Sequence, residues 1–160
     1  GLTGRKIVVD QYGGYCNVGG GSFSGKDMNN LDRSGAYMCR YFAKNIVNTG
    51  LADAAKVELT YNGSKDEPCT INVELINPVN SLIGLKRCIE KYIKDKFDLT
   101  PKGIICKFFP CEIKPIFYNT ARNGHFGYND NDTYYPWERL DFSDKLKEYI
   151  DEKELSIVEF

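Results

Sequence analysis

Hydrophobic positions along the chain keep two different spacings, and the switches between them lay out its elements. Val57, Leu59 and Tyr61 alternate with polar residues, as do Ile71, Val73 and Leu75. A period of two marks half-buried strands, and Asn62-Gly63-Ser64-Lys65-Asp66 between them is turn chemistry, so two adjacent strands are predicted. Around them the spacing becomes helical. Ala36, Cys39, Ala43, Ile46 and Val47 predict a helix that Asp32 caps and that runs to about Thr49, with Gly50 as its stop. Leu85, Ile89, Tyr92 and Ile93 predict a second helix, capped by Ser81, through about Phe97 and closed by Pro101. Residues 6–10 and 103–109 are short apolar runs rich in β-branched or aromatic side chains, and both read as strands. The predicted order is therefore β-α-β-β-α-β, an α+β fold with helices packed on one face of a mixed sheet.

The remaining segments are less regular. Residues 11–31 hold six glycines with several Ser and Asn, a loop long enough to be either functional or mobile. After Pro110 the chain is rich in aromatics, Gly and Asn, and Ser143 caps a predicted last short helix with Leu146 and Ile150 inward. Asn129-Asp130-Asn131-Asp132 lacks the glycine and terminal glutamate of a calcium loop and reads as a solvated turn. With neither an internal repeat nor a linker, one unit is expected. Residues 1–32 would form its strand and glycine loop, 33–109 an α/β core, and 110–160 an aromatic segment with an acidic tail.

Composition narrows the function classes. At 160 residues, 42% hydrophobic and 27% charged, the chain is long enough for a real core and unlike collagen, coiled coil or disordered sequence. Twenty-one Lys+Arg against 22 Asp+Glu leave a net charge of −1, so a general attraction to nucleic acid or anionic membrane has no support. Any anion site must be a local cluster. No apolar run reaches the roughly 18–20 residues of a membrane span. The six cysteines form no CxxC, which favours reduced thiols and a cytoplasmic location over a disulfide framework or a zinc site, and places Cys39 and Cys88 as small core residues. From Glu138 onward eight acidic residues face four basic ones, a solvated face or a contact for a basic partner. The chain opens at Gly1 without an initiator Met, which is expected of a processed or partial polypeptide.

The richest candidate for chemistry is Gly19-Gly20-Gly21-Ser22-Phe23-Ser24-Gly25-Lys26-Asp27. Glycines let backbone N–H groups converge on an anion, and the lysine adds countercharge. Gly20-xxxx-Gly25-Lys26 has most of the P-loop spacing, but Asp27 replaces the Ser/Thr that would hold Mg2+, and no strand leads directly into the loop. A true P-loop is excluded; a phosphate-binding loop and a merely flexible one both stand. Arg5-Lys6 could grip phosphate or guard a strand edge. Asp27 and Asp32 could serve a Mg2+–nucleotide complex, although capping the helix competes for the same Asp32 oxygens. The lone His125, in Gly124-His-Phe-Gly127, is a catalytic base or, more simply, a hydrogen-bonded structural residue. The aromatics of residues 108–137 are not interleaved with basic side chains, as a single-strand stacking platform requires.

Taken together in order, these segments resemble the later part of the S-adenosylmethionine synthetases (methionine adenosyltransferases). The resemblance rests on Gly1-Leu-Thr-Gly-Arg-Lys-Ile-Val-Val-Asp10, Tyr12-Gly-Gly14, the glycine loop to Asp27, and Asp32-Arg-Ser34. It continues through Arg40-Tyr-Phe-Ala-Lys-Asn-Ile-Val47, Gly50-Leu51, Phe97-Asp-Leu99, Pro115-Ile116, Gly124-His-Phe-Gly127 and Pro136-Trp-Glu138, over about residues 1–140. Such enzymes join ATP and L-methionine, release and hydrolyse tripolyphosphate, and use Mg2+ and K+. The resemblance implies that Arg5 and Lys6 bind phosphate, that Ser22 and Lys26 contact ATP, and that Asp32 lies near Mg2+. No certain catalytic residue falls within the chain. Two positions depart from the family pattern. Asn30 stands where a lysine serves the substrate's anionic groups, and Tyr61-Asn-Gly-Ser64 replaces a Tyr-Ala-Ile-Gly stretch whose isoleucine packs on adenine.

The family's earlier half carries a histidine near the reacting centre, most ligands for Mg2+, K+ and methionine, and an aspartate that would lie just upstream of Gly1. The expectation is thus a C-terminal polypeptide, inactive alone, that works with an N-terminal portion in a homo- or hetero-oligomer without nucleic acid or membrane. The competing expectation is a non-catalytic interaction subunit or relic that keeps the fold. A stand-alone phosphate enzyme ranks below both, since no complete acid/base or nucleophile set is present.

Overall fold

Eighteen residues, Leu31–Asn48, form the helix on which the other elements rest. The computed structural model describes residues 7–63, 66–79, 84–110, 117–129 and 134–158. Within them the order is α1 (Ile7–Asp10), α2 (Leu31–Asn48), β1 (Ala52–Tyr61), β2 (Pro68–Pro78), α3 (Leu85–Lys96), α4 (Pro101–Phe108), α5 (Phe117–Asn123), a 3-10 turn (Pro136–Glu138) and α6 (Ser143–Val158). Helix α2 packs against β1, α4, the 3-10 turn and α6, while α3 lies on β2 and α6. Arg5, Lys6, Ser64, Lys65, Ser81, Cys111 and the turn at 130–133 lie outside the described residues.

The alternating runs pair as predicted. β1 and β2 are antiparallel, with Ala55 opposite Leu75, Val57 opposite Val73 and Leu59 opposite Ile71. All six pack on or within the core. The opposite face sets Lys56 against Glu74, joined at 3.5 Å, and Thr60 against Thr70. Side-chain alternation thus sets one apolar and one polar face, which fixes the register. In α3, Leu85, Ile89, Tyr92 and Ile93 are buried as their spacing required, and Gly84, in the left-handed region, precedes the helix.

The α+β class holds, but the outer strands of the predicted β-α-β-β-α-β order do not. Among the described residues the sheet is two-stranded and antiparallel rather than mixed. Residues 7–10 form one helical turn with Val8 and Val9 exposed. No neighbouring strand pairs with them there, and the Val8 carbonyl is instead satisfied locally by the Gly13 N–H at 2.8 Å. The run 103–109 is helical because its start is stronger than its composition. Thr100 Oγ1 accepts from the Gly103 N–H at 3.0 Å, Pro101 occupies the first turn, and Ile104 and Phe108 bury on one side. Pro101 opens α4 rather than merely closing α3.

Helix α2 ends as expected, at Thr49 with Gly50 at φ +77°, but its cap is Asn30, not Asp32: Asn30 Oδ1 accepts from the Asp32 N–H at 3.0 Å. Its buried side also differs. Of the expected stripe only Ile46 is fully buried; Arg33, Ser34, Tyr37, Met38, Tyr41, Phe42 and Asn45 carry the rest. A helix enclosed by sheet and helices together buries more than one stripe, and its tyrosines count as polar in an aliphatic reading. Cys39 faces Leu59 of the sheet, where burial pushes its thiol up to about 12. The five described cysteines, Cys16, Cys39, Cys69, Cys88 and Cys106, are free.

The C-terminal helix is longer than expected, and Ser143 does not act as its cap by bonding the helix backbone. Ser143 Oγ donates to Asn45 Oδ1 at 3.0 Å, which also accepts from the Phe142 N–H at 3.1 Å. Asn45 Nδ2 donates to the carbonyls of Tyr41 and Arg139 at 2.9 and 2.8 Å. One fully buried amide therefore ties α6 and its lead-in to α2 through three bonds and makes a fourth within α2, while Leu146 and Ile150 fill the space beneath. Replacing Asn45 by Ala leaves buried groups on both segments unpartnered. Urea unfolding should show a loss of about 2–3 kcal/mol; an unchanged midpoint would show that α6 is held by apolar packing alone.

Candidate functional site

The glycine loop reaches the N-terminal end of α2 by sinking two side chains into the core, Phe23 and Met28, which are 4% and 1% exposed. Phe23 meets Tyr37, His125 and Phe126 edge-on, with ring centroids 5.1–6.0 Å apart. Between these anchors the chain turns tightly: the Lys26 N–H donates to the Phe23 carbonyl at 3.2 Å, and Gly25 takes φ +88°, which a side chain rarely adopts. Ser22 is half-buried just before the turn. At its end Lys26 Nζ contacts Asp32 Oδ2 at 2.5 Å. Asp27 Oδ1 accepts from the Asn29 N–H at 2.8 Å, an Asx turn leading to the Asn30 cap.

Beneath this turn lies an arginine that the sequence reading passed over. Arg33 is 2% exposed. Its Nη1 donates to the Lys26 carbonyl at 2.7 Å, its Nε to Tyr37 Oη at 3.1 Å and its Nη2 to Thr120 Oγ1 at 3.2 Å. Its guanidinium lies 3.7 Å from the centre of the Phe117 ring. Tyr37 Oη, which accepts from Arg33, also hydrogen-bonds His125 Nδ1, 2.7 Å away. The other ring nitrogen, Nε2, faces Ser24 Oγ at 3.4 Å. The contacts close a ring from the Lys26 carbonyl through Arg33, Tyr37 and His125 back to Ser24. A signal for it existed: a cation in the first turn of a helix opposes the macrodipole, and here a tyrosine follows four residues later.

His125 is thus a buried, hydrogen-bonded buttress, and two further contacts hold its segment. Trp137 Nε1 donates to the His125 carbonyl at 2.8 Å, and the indole stacks on Tyr37 at 3.8 Å. Glu138, fully buried, accepts from Arg40 at 3.1 Å, from Lys44 at 2.9 Å and from the Gly127 N–H at 2.9 Å. Arg40 and Lys44 stand one helical turn apart on α2, so both reach one carboxylate. The segments Asp32-Arg-Ser34, Arg40 to Lys44, Gly124 to Gly127 and Pro136 to Glu138, scattered in sequence, converge on one side of α2.

The other named positions fall near the same end of α2. Tyr61 closes β1 beside Gly35, where a Cβ would lie 3.6 Å from its ring, and its hydroxyl donates to the Leu99 carbonyl at 2.8 Å. Asn62 and Gly63 follow as an exposed tip. No group of three His, Cys, Asp or Glu side chains among the described residues could hold a metal ion. Asp32 fits Mg2+ only as a single carboxylate on an ion held mainly by substrate phosphates. No helix of the described residues is long and apolar enough to cross a membrane.

Burial first, and the Arg33 charge second, lower the His125 pKa from the ordinary imidazole range to about 4. The unfolded chain, with an imidazole near about 6.5, binds that proton more readily. This contribution to stability is complete above about pH 6.5 and disappears as pH falls to about 4. His125→Gln should flatten the decline in unfolding free energy across that window relative to the parent, as read by urea titrations at successive pH values. Parallel declines would show that the ring is not buried as a neutral group.

Comparison with known proteins agrees with this convergence of motifs. The family model described as S-adenosylmethionine synthetase, C-terminal domain, matches residues 1–139. The chain is 46% identical over 149 residues to an S-adenosylmethionine synthase of Mycoplasma mycoides, covering 93% of this chain and 36% of that protein. It is 45% identical over 152 residues to one of Streptococcus thermophilus, covering 94% and 36%. A solved structure of an unusual S-adenosylmethionine synthetase from Campylobacter jejuni superposes with a TM-score of 0.81 at 36% identity, over 93% of this chain and 38% of that one. The chain spans little more than a third of the length of these relatives. It belongs to the S-adenosylmethionine synthetase family, and it corresponds to the C-terminal domain of those enzymes.

Proposed function

We propose that this chain is the C-terminal portion of a methionine adenosyltransferase, supplying cations that bind the triphosphate of ATP, and that it works only together with the remaining, N-terminal portion. In the reaction so proposed the methionine sulfur attacks the ribose 5′ carbon, and tripolyphosphate leaves. Spreading the leaving group's charge over fixed cations is the largest stabilisation a protein can offer such a step. Lys26 is the foremost of these cations, Ser22 a further contact to ATP, and Arg5 and Lys6 complete the set. Asp32 would hold Mg2+, which when bound neutralises phosphate oxygens. K+ and most further ligands would come from the N-terminal portion.

The observation that carries this reading is the placement of Lys26 at the end of a tightly braced turn, with Asp32 the only partner of its ammonium among the described residues. The two side chains are 26% and 52% exposed. An ion pair so open to water is worth about 0–1 kcal/mol. Phosphate and Mg2+ can therefore separate it readily, each taking one partner. A pair that opens this cheaply suits a site poised for a charged substrate.

A second reading, a non-catalytic subunit, draws on Asn30. The family lysine is replaced by a residue whose side chain caps α2, so one cation near the substrate is exchanged for helix stability. Combining the chain with an N-terminal portion and assaying S-adenosylmethionine formation from ATP and methionine separates the two readings. The enzyme reading predicts product, and a loss of about a hundredfold or more in kcat/KM for ATP on Lys26→Ala. Failure to form product in a complex that assembles correctly supports the non-catalytic subunit.

A further inference from the structure

Arg33 stands in the first turn of α2, where the helix dipole disfavours a cation, and it is withdrawn almost completely from water. A sequence tolerates two such conflicts at one position only when the surroundings compensate and the placement serves something. The compensation is specific: three donors and a ring face are engaged, by Lys26, Tyr37, Thr120 and Phe117. None of the ion pairs among the described residues involves Arg33. Its shortest bond is to the backbone of Lys26, not to a side chain that a different residue could replace.

We propose that Arg33 is a positioning residue for the phosphate site: it fixes the Lys26 carbonyl, and thereby the direction in which the Lys26 side chain leaves the turn. The inference rests on the proposed triphosphate role of Lys26. The Lys26 backbone is held from both sides, its N–H by the Phe23 carbonyl and its C=O by Arg33. With the peptide fixed, the Lys26 Cα–Cβ bond leaves the turn in one direction, and its ammonium reaches the side on which Asp32 lies. Tyr37 and His125 extend the brace to Ser24, so the turn is tied at two points to α2 and to the 124–127 segment. Lysine at position 33 would keep the charge but lose the planar fork and the stacking on Phe117.

The test is a double-mutant cycle in the assembled enzyme, with wild type, Arg33→Lys, Lys26→Ala and the pair. Positioning predicts that Arg33→Lys alone raises KM for ATP about tenfold and leaves KM for methionine within about twofold. In the Lys26→Ala background the same change should alter kcat/KM for ATP by less than about twofold, because there is no longer an ammonium to aim. An equal loss in both backgrounds, with Lys26→Ala itself damaging, overturns the positioning role and leaves the proposed function standing. No loss of ATP turnover on Lys26→Ala overturns both. Should Arg33→Lys fail to fold, Tyr37→Phe removes one of the brace's hydroxyls while keeping the stacked ring. It should show the same selective rise in KM for ATP and the same dependence on Lys26, and equal losses in both backgrounds again overturn the proposal.

Discussion

A guanidinium buried under the first turn of a helix is costly unless its hydrogen bonds are all but predetermined. Arg33 meets that demand with a backbone carbonyl, a phenol, a threonine hydroxyl and an aromatic face. Those partners come from the glycine loop, from α2 itself and from α5, so satisfying one charge fixes three pieces of chain relative to one another. Tyr37 then passes the constraint to His125, and Trp137 secures His125 from the other side. The position of Lys26 follows from these bonds rather than from any property of the loop's glycines alone.

A second pair of polar anchors repeats the logic further along α2. Glu138 gathers Arg40, Lys44 and the Gly127 N–H, and Asn45 gathers a carbonyl of α2 and three groups at the start of α6 and just before it. Both are fully buried and both are saturated. Apolar packing brings these segments together without direction, whereas bonds to a carboxylate or an amide admit one arrangement. Helix α2 thus carries the glycine loop at one end and the C-terminal segments along its length.

Much of this was legible because its causes are local. Alternation wrote out the two adjacent strands, whose register the structure supplies, and Gly50 marked the end of α2. The outer strands were misread for a physical reason. Residues 7–10 have strand composition but no strand beside them among the described residues, and residues 103–109 carry a helix start in Thr100-Pro101 that outweighs their β-branched content. The loop and Lys26 stood out by chemistry, and the ordered motifs named the family. Arg33 and Tyr37 were overlooked because their role is tertiary: nothing within four residues of Arg33 foretells that Thr120 and Phe117 will meet it. Asp32 reads as the cap because it stands at the start of the helical spacing, but asparagine is as good a cap as aspartate and Asn30 takes that place.

The central claim is that the braced turn aims Lys26 at the triphosphate. Its most direct measurement is a crystal structure of the assembled enzyme with Mg2+ and a non-hydrolysable ATP analogue. The account predicts that Lys26 Nζ leaves Asp32 for a phosphate oxygen, at about 2.8 Å, while the Lys26 carbonyl stays on Arg33. Phosphates bound elsewhere, with Lys26 still paired to Asp32, would contradict it.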